Sequence, residues 1–127
     1  MRISYGKNVY GREEIAAVNK TLKKSTQMGK SVKEFENKIA KNFSKKHGLM
    51  VNSGSSALTL AMKVLNIKKG DEIITPCLNF GTAVSSIVLA QATPIFVDVE
   101  VDTLQINVSK IEEKITKKTK AILIPNL

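Results

Sequence analysis

The second half of the chain constrains the fold most strongly, because short apolar runs alternate there with amphipathic segments. From Gly48 onward the sequence predicts four buried strands, at 49–51, 72–75, 95–99 and 121–124. Helices are predicted between them, at 55–65, 82–89 and 109–115, the last with Ser109 and Glu112 spaced as a capping box. Such an alternation favours a parallel sheet covered on both faces. We therefore predict an α/β fold with three layers, α/β/α.

The first third of the chain predicts two helices instead. Apolar residues recur there at helical spacing in two stripes: Ile15, Val18 and Leu22, then Val32, Phe35, Ile39 and Phe43. The first stripe belongs to a helix from about Gly11 to Lys24, and we expect both stripes to be core. The chain is then one incomplete domain, with N-terminal helices at 1–46 and the start of an α/β portion at 47–127.

The net charge of +9 raises the question of nucleic-acid binding. Among the 20 basic residues, Arg2 and Arg12 are the only arginines, whereas base recognition usually needs arginine forks or clustered aromatic rings. The lysines cluster near predicted helix ends, where they interact favourably with the helix dipole. We predict a solvated basic surface and no nucleic-acid partner.

Neither a membrane anchor nor a secretory leader is predicted. No apolar run reaches the roughly 18 residues that span a bilayer, and the first six residues lack the apolar region of a signal peptide. Cys77 is the single cysteine, so an internal disulfide is excluded. These features favour the cytoplasm and no membrane partner.

A serine-rich loop at 52–57 lies between a predicted strand and a predicted helix. Ligands of parallel sheets bind beyond the carboxyl ends of the strands, where this loop begins. Gly54 allows a tight turn and a close approach to a ligand, while Ser55 and Ser56 fall in the first helical turn, which favours an anion. A serine N-cap with nothing bound is the alternative, and spacing does not separate the two. The loop matches neither glycine-rich nucleotide pattern, which disfavours triphosphates and dinucleotides.

Further candidates follow the second predicted strand. Phe80 could stack on a planar ligand, and a buried core role is the alternative. Asn79 suits a ligand contact or a turn equally well. Cys77 is interpreted as a small buried residue, since His47, the only histidine, is expected at the opposite edge of the sheet.

Three carboxylates follow the third predicted strand: Asp98, Glu100 and Asp102. Their spacing matches no metal-ligand pattern. We expect them to form turns and helix caps, and we predict no metal site.

Six ordered segments extend over almost the whole chain: YGREEI at 10–15, GKSVKEFE at 29–36, NSGSSAL at 52–58, GDEIITP at 70–76, PIFVDV at 94–99 and KTKAI at 118–122. In this order they resemble the DegT/DnrJ/EryC1/StrS family of sugar aminotransferases. These are fold type I pyridoxal-phosphate (PLP) enzymes that act on nucleotide-linked keto-sugars, for surface polysaccharide synthesis. The resemblance implies the N-terminal part of the large PLP-binding domain.

The resemblance also implies roles for individual positions. Cofactor contacts are implied at four residues: Gly54, Ser55, Ser56 and Phe80. The glycine and serines align with the family's phosphate-binding stretch, and the phenylalanine aligns with the aromatic that stacks on the pyridine ring of PLP or pyridoxamine phosphate (PMP). Met28 and Gly29 are implied to lie near the substrate pocket and the dimer interface. The complete enzyme is implied to be a homodimer that takes a nucleotide-linked keto-sugar and an amino-acid donor.

In the family, the Schiff-base lysine and the aspartate that pairs with the pyridine nitrogen lie downstream of anything in this chain. None of its lysines matches the catalytic position, so we expect no catalytic residue here and no turnover by the chain alone. An exposed apolar sheet edge and poor solubility are expected as well. Two alternatives remain: a PMP-dependent deoxyhexulose dehydrase of the same family, which the NSGSS loop also resembles, and a non-catalytic anion-binding remnant.

Overall fold

The computed structural model describes residues 6–24, 26–27 and 29–126, and the chain divides into two compact units at 1–50 and 51–127. The predicted division into 1–46 and 47–127 falls close to this boundary. That the two units form one incomplete domain stays a prediction. None of the helices in the described ranges is long and apolar enough to cross a membrane.

Two helices account for most of the first unit: α1 at Arg12–Lys24 and α2 at Lys30–Asn42. Both were expected from the apolar spacing. Acidic residues occupy the first turn of α1 and lysines the last, which is the favourable arrangement for the helix dipole. The N–H of Gly11 donates to the Glu14 carboxylate at 2.6 Å, a hydrogen bond that lowers the pKa of this carboxyl.

The apolar stripes of α1 and α2 lie largely at the surface, so the prediction that they form core is wrong. Five of these side chains are 50% to 70% exposed: Ile15, Val18, Leu22, Phe35 and Phe43. Within its described residues, this unit buries Glu36 and Ala40 of α2 and no residue of α1. An amphipathic pattern decides which face of a helix is apolar, but a second apolar surface is needed to cover that face.

The segment after α2 is tied to the helix through Glu36. The Glu36 carboxylate accepts a hydrogen bond from the Met50 N–H at 2.9 Å. Gly48 lies so close that a Cβ added there would meet the Glu36 carbonyl oxygen at 2.6 Å. The strand predicted at 49–51 does not form, because no described strand pairs with this segment, and Leu49 is 71% exposed.

The second unit contains a parallel sheet, which confirms the predicted α/β fold. Three strands form within the described residues: β1 at Glu72–Pro76, β2 at Thr93–Val97 and β3 at Thr119–Ile122. They lie in the order β2-β1-β3. Helix α3 (Gly54–Val64) precedes β1, and helix α4 (Gly81–Leu89) joins β1 to β2. Phe96 and Ile122 on the two outer strands are each 46% exposed, as expected for an apolar sheet edge.

Neighbouring side chains of β1 fill two cores on opposite faces of the sheet. Ile73 packs with Met62 of α3 and Ile87 of α4. Ile74 packs with Val97 and with Ile106, which belongs to the connection from β2 to β3. The two connections therefore cover opposite faces of the sheet. Right-handed crossovers require this, because the step from β1 to β2 and the step from β2 to β3 run in opposite directions across the sheet.

The helix predicted at 109–115 forms two 3-10 turns instead, Val108–Lys110 and Glu112–Lys114. Its predicted capping box is also wrong. The cap is Asn107, whose side-chain oxygen accepts hydrogen bonds from the Ser109 N–H at 3.1 Å and from the Ser109 hydroxyl at 2.6 Å. Because the Ser109 hydroxyl is hydrogen-bonded to Asn107, it does not cap the turn that follows.

Candidate functional site

A cavity of about 580 Å³ opens at the carboxyl edge of the sheet in the second unit. The segments that form it leave β1 and β3 or begin α3 and α4. Its lining residues are Gly54, Ser55, Ala57, Leu58, Asn79, Phe80, Thr82, Ala83, Leu123, Ile124 and Pro125. This is the edge at which the sequence predicted a ligand, and the volume is typical of small-molecule pockets.

The polar end of the cavity is the beginning of α3. Ser53 adopts an extended conformation and caps the helix, since its hydroxyl accepts a hydrogen bond from the Ser56 N–H at 3.1 Å. The Ala57 N–H donates to the Ser53 carbonyl oxygen at 3.0 Å. Among the described residues, the N–H groups of Gly54 and Ser55 have no acceptor, so both are available to an anion.

Gly54 is not needed for a tight turn, contrary to the sequence prediction. Of the described glycines, Gly70 has a left-handed backbone (φ 86°) and Gly54 does not. The chain enters the helix through the extended backbone of Ser53, which any residue can adopt. A Cβ added at Gly54 would meet no protein atom within 4 Å. Because glycine has no side chain, Gly54 leaves open space beside the free N–H groups of Gly54 and Ser55.

The predicted serines face different spaces. Ser55 lines the main cavity, whereas Ser56 does not and instead lines, with Ser55, a neighbouring hollow of about 310 Å³. The Ser56 hydroxyl also accepts a hydrogen bond from the Ser53 hydroxyl at 3.1 Å. The geometry therefore makes Ser55 the stronger candidate for a ligand contact in the main cavity.

The apolar end of the cavity carries Phe80, whose ring is not core. The residue is 76% exposed and stands at the N-terminus of α4. Its N–H donates to the Asn79 side-chain oxygen at 2.7 Å, so Asn79 has the turn role that the sequence allowed. The described residues thus place an exposed aromatic ring and a helix N-terminus around one cavity.

Sequence reasoning missed the wall formed by Leu123, Ile124 and Pro125. These residues follow β3, next to β1 in the sheet. The sequence predicts that the last strand extends to Ile124, because the apolar run continues to that point, whereas β3 ends at Ile122. No local signal identifies this wall, because its place beside β1 depends on the order in which the strands pair.

The remaining candidates lie outside this cavity. Cys77 is exposed, so its interpretation as a buried residue is wrong; it is the first residue beyond β1, and its N–H donates to the Val97 carbonyl oxygen at 2.9 Å. The predicted turn role is confirmed for Glu100 and Asp102, which lie in the turn closed by the hydrogen bond from the Leu104 N–H to the Glu100 carbonyl oxygen. The Glu100 carboxylate also accepts a hydrogen bond from the Thr103 hydroxyl, and the Asp98 carboxylate accepts one from the N–H of Val99.

The predicted substrate-binding segment belongs to the first unit. Met28 lies outside the described residues. Gly29 is the N-cap residue of α2 and lines a second cavity of about 470 Å³. The other residues of this lining are mostly polar: Lys20, Thr21, Lys24, Gln27, Lys30, Ser31 and Glu34. Three lysines against one glutamate favour a negatively charged ligand at low ionic strength.

A parallel sheet with a cavity at its carboxyl edge defines a ligand-binding domain of the α/β class. A sequence profile of the DegT/DnrJ/EryC1/StrS aminotransferase family matches residues 8–127. The chain therefore belongs to this family of sugar aminotransferases, which confirms the predicted resemblance.

Individual relatives show the same relationship. The chain is 40% identical over 125 residues to GDP-perosamine synthase from Escherichia coli O157:H7, with 97% of this chain and 34% of the relative covered. It is 34% identical to the solved E. coli GDP-4-keto-6-deoxy-D-mannose-3-dehydratase with bound hydrated PLP, at a TM-score of 0.86, over 95% of this chain and 33% of that one. A structure of GDP-4-keto-6-deoxymannose-3-dehydratase with a trapped PLP–glutamate geminal diamine gives 33% identity and a TM-score of 0.87, over 98% and 36%. The chain thus spans about a third of the length of the relatives it matches.

Proposed function

We propose that this chain is part of a PLP-dependent aminotransferase that acts on a nucleotide-linked keto-sugar, and that the cavity at the carboxyl edge of the sheet holds the cofactor. The observation that carries the proposal is the match between the two ends of the cavity and the two ends of PLP. One end offers free backbone N–H groups at a helix N-terminus, and the other offers an exposed aromatic ring.

The phosphate of the cofactor fits the N-terminus of α3. The N–H groups of Gly54 and Ser55 would donate to phosphate oxygens, the Ser55 hydroxyl would add a further donor, and the helix dipole favours the charge. The open space beside Gly54 is where a phosphate would lie, since no protein atom comes within 4 Å of an added Cβ. Ser56 would support this turn through its bonds to Ser53.

The pyridine ring fits between Phe80 and the apolar wall. Phe80 would stack on one face of the ring, and Leu123 and Ile124 would exclude water near it. When bound, the cofactor supplies an electron sink for the substrate. No lysine of the described residues lines the cavity. We therefore propose that the attachment of PLP and the proton transfers require residues beyond this chain, so that the chain alone does not turn over.

The basic cavity beside Gly29 is proposed to contribute to binding of the nucleotide-linked keto-sugar, whose diphosphate is anionic. Lys20, Lys24 and Lys30 supply the charge, although Lys30 lies 4.0 Å from Glu34 and is partly neutralised by it. GDP-linked sugars appear in the names of the matched relatives, and one relative holds glutamate joined to PLP. We propose an amino acid as the amino donor here as well.

Cofactor binding is tested by titrating the full chain with PMP and following its absorbance and fluorescence. Gly54→Ala should weaken PMP binding at least about tenfold, because the methyl group occupies phosphate space and displaces a charge-assisted hydrogen bond. Gly81→Ala, at the start of α4 and equally free of neighbours within 4 Å, is the matched control and should bind normally. Absence of PMP binding even with the remaining part of such an enzyme supplied would refute the proposal.

Dehydration is a second candidate reaction, favoured by the similarity to a PLP-containing dehydratase. A complete enzyme that contains this chain would be incubated with PMP and a GDP-linked keto-sugar. Formation of an amino-sugar supports transamination, whereas a nitrogen-free product that has lost one hydroxyl group of the substrate supports dehydration. A non-catalytic anion-binding remnant would bind inorganic phosphate and PMP equally well, because it would gain nothing from the ring.

Assembly as a homodimer is proposed for the complete enzyme, and the exposed stripe of α1 supports it. Ile15, Val18 and Leu22 form an apolar surface of the kind that interfaces cover. Sedimentation of the complete enzyme would measure the assembly directly. The predicted cytoplasmic location is also part of this proposal.

A further inference from the structure

A chain of hydrogen bonds connects the two walls of the cavity through Thr75, a wholly buried residue near the end of β1. The Thr75 hydroxyl lies 2.9 Å from the Leu123 carbonyl oxygen and 2.8 Å from the Asn79 side-chain nitrogen. The Asn79 side-chain oxygen lies 2.7 Å from the Phe80 backbone nitrogen. Three bonds thus link Leu123, on one wall, to Phe80, on the other.

The donor and the acceptor of each of these three hydrogen bonds are determined. A backbone N–H can only donate, so the Asn79 group that faces Phe80 is the oxygen, and its NH₂ group faces Thr75. The threonine oxygen therefore accepts from Asn79. Its single proton is free for Leu123, whose carbonyl can only accept. These three hydrogen bonds cannot all run in the opposite direction, because the groups at both ends of the series belong to the backbone.

Leu123 is consequently held at both of its backbone polar groups. Its N–H donates to the Ile74 carbonyl oxygen at 2.8 Å, which extends the pairing of β1 with β3 past the end of the strand. Its carbonyl accepts the Thr75 proton. Ile124 and Pro125 leave from this fixed point and form the wall of the cavity.

We propose that Thr75 is a positioning residue that acts together with Asn79 and sets the position of the Phe80 ring relative to the wall at Leu123. Both residues are needed, because the side-chain amide of Asn79 is held in place by the hydrogen bond that its NH₂ group donates to the Thr75 oxygen. The consequence for the cofactor rests on the proposed function. The hydrogen bonds themselves do not.

The first test measures amide hydrogen exchange of the full chain without any ligand. Thr75→Val keeps the shape of the side chain and removes the hydroxyl, so the Phe80 N–H should exchange at least about fivefold faster although its own acceptor is unchanged. Thr75→Ser restores the hydroxyl and should return the rate to within about twofold of the original. An unchanged Phe80 rate in Thr75→Val, or a serine variant that behaves like the valine variant, would overturn the proposal.

Asn79→Asp is the second variant, placed at a partly exposed site so that the fold is retained. Aspartate still accepts from the Phe80 N–H but turns an acceptor toward Thr75, whose proton is already used by Leu123. One of the two links must then break. We expect faster exchange at the Leu123 N–H where the Thr75 proton moves to the aspartate, or at the Phe80 N–H where it stays with Leu123, and original rates at both amides would contradict the proposal.

The functional consequence is measured with two probes, PMP and inorganic phosphate. Thr75→Val, which changes no charge, should weaken PMP binding about tenfold while changing phosphate binding by less than about twofold, because the phosphate end of the cavity is built from α3. Equal losses for both probes would indicate general damage and overturn the positioning role. If the original chain binds no PMP, the proposed function fails, while the exchange rates at Phe80 and Leu123 still decide the hydrogen-bond proposal.

Discussion

The two units of this chain contain similar amphipathic patterns and bury them very differently. In residues 51–127, Ile73, Ile74 and Ile87 are completely inaccessible to water. In the described part of residues 1–50, the buried side chains are a glutamate and an alanine, and the apolar stripes face outward. A sheet brings apolar surfaces from distant parts of the chain to both of its faces, whereas two helices with exposed stripes need a cover from elsewhere.

The largest effect should come from shortening a buried isoleucine in the second unit, and the same substitution at an exposed isoleucine of the first unit gives the comparison. Ile73→Ala should lower the free energy of unfolding by about 2–5 kcal/mol, because it leaves a cavity between the sheet and two helices. Ile15→Ala in α1, where the isoleucine is 51% exposed, should change it by less than about 1 kcal/mol. Urea unfolding of both variants measures the difference. Equal losses would mean that the stripe of α1 is covered in solution.

A smaller loss is expected from Gly48→Ala in the first unit. The new Cβ would approach the Glu36 carbonyl oxygen to 2.6 Å, so the backbone must move, at a cost of about 1–3 kcal/mol. Gly81→Ala, in the second unit, meets nothing within 4 Å and should be neutral. Amide exchange at Met50 localises the effect. If Gly48→Ala left that rate unchanged, the tight contact would not be part of the folded state.

Glu36 should make the first unit sensitive to acid. The hydrogen bond from the Met50 N–H lowers the pKa of Glu36 below its ordinary value of 4.5, against the opposing effect of burial and with help from Lys33. A carboxyl with a lowered pKa stabilises the fold above its unfolded pKa, and this contribution disappears as the pH falls through the folded pKa. The protection of the Met50 amide, measured as its exchange rate relative to the intrinsic rate at the same pH, should therefore decrease below about pH 4.5.

Glu36→Gln is the control, since glutamine has the same shape and no titrating group. Its Met50 exchange, corrected for the intrinsic rate, should stay flat with pH. Parallel curves for the two proteins would show that Glu36 is not the group responsible.

The smallest effects are expected at helix ends. Ser44, Asn66 and Gln91 follow α2, α3 and α4 with left-handed φ values of 52°, 53° and 58°. At the end of α4, the Gln91 N–H donates to the Val88 carbonyl and the Ala92 N–H to the Ile87 carbonyl, a Schellman motif that usually contains glycine. Gln91→Gly should therefore add about 0.5–1 kcal/mol of stability.

Asn66→Gly is the comparison, because asparagine already tolerates the left-handed region and should gain less. Thermal unfolding measures both variants. A destabilised Gln91→Gly would show that entropy lost by the flexible glycine outweighs the relief of strain.

Much of the second unit could be predicted from the sequence. The helices begin and end within one or two residues of the predicted positions at 55–65 and 82–89, and three of the four predicted strands form. The strand at 49–51 was wrong because an apolar run alone does not provide a pairing partner. At the site, Gly54, Ser55 and Phe80 were predicted to share an edge, and they line one cavity. Thr75 and the wall at Leu123 were missed, since their contact joins residues far apart in sequence.

The sequence by itself determined helices α1 to α4, the extended segments of β1 to β3 and the loops that leave the carboxyl ends of these strands, because these follow from local periodicity and chain connectivity. The tertiary structure alone decided the order β2-β1-β3, the exposure of Phe80 and Cys77, and the outward stripes of α1 and α2. Burial and strand order depend on surfaces brought together from distant parts of the chain. A pattern read along the chain does not specify which surfaces will meet.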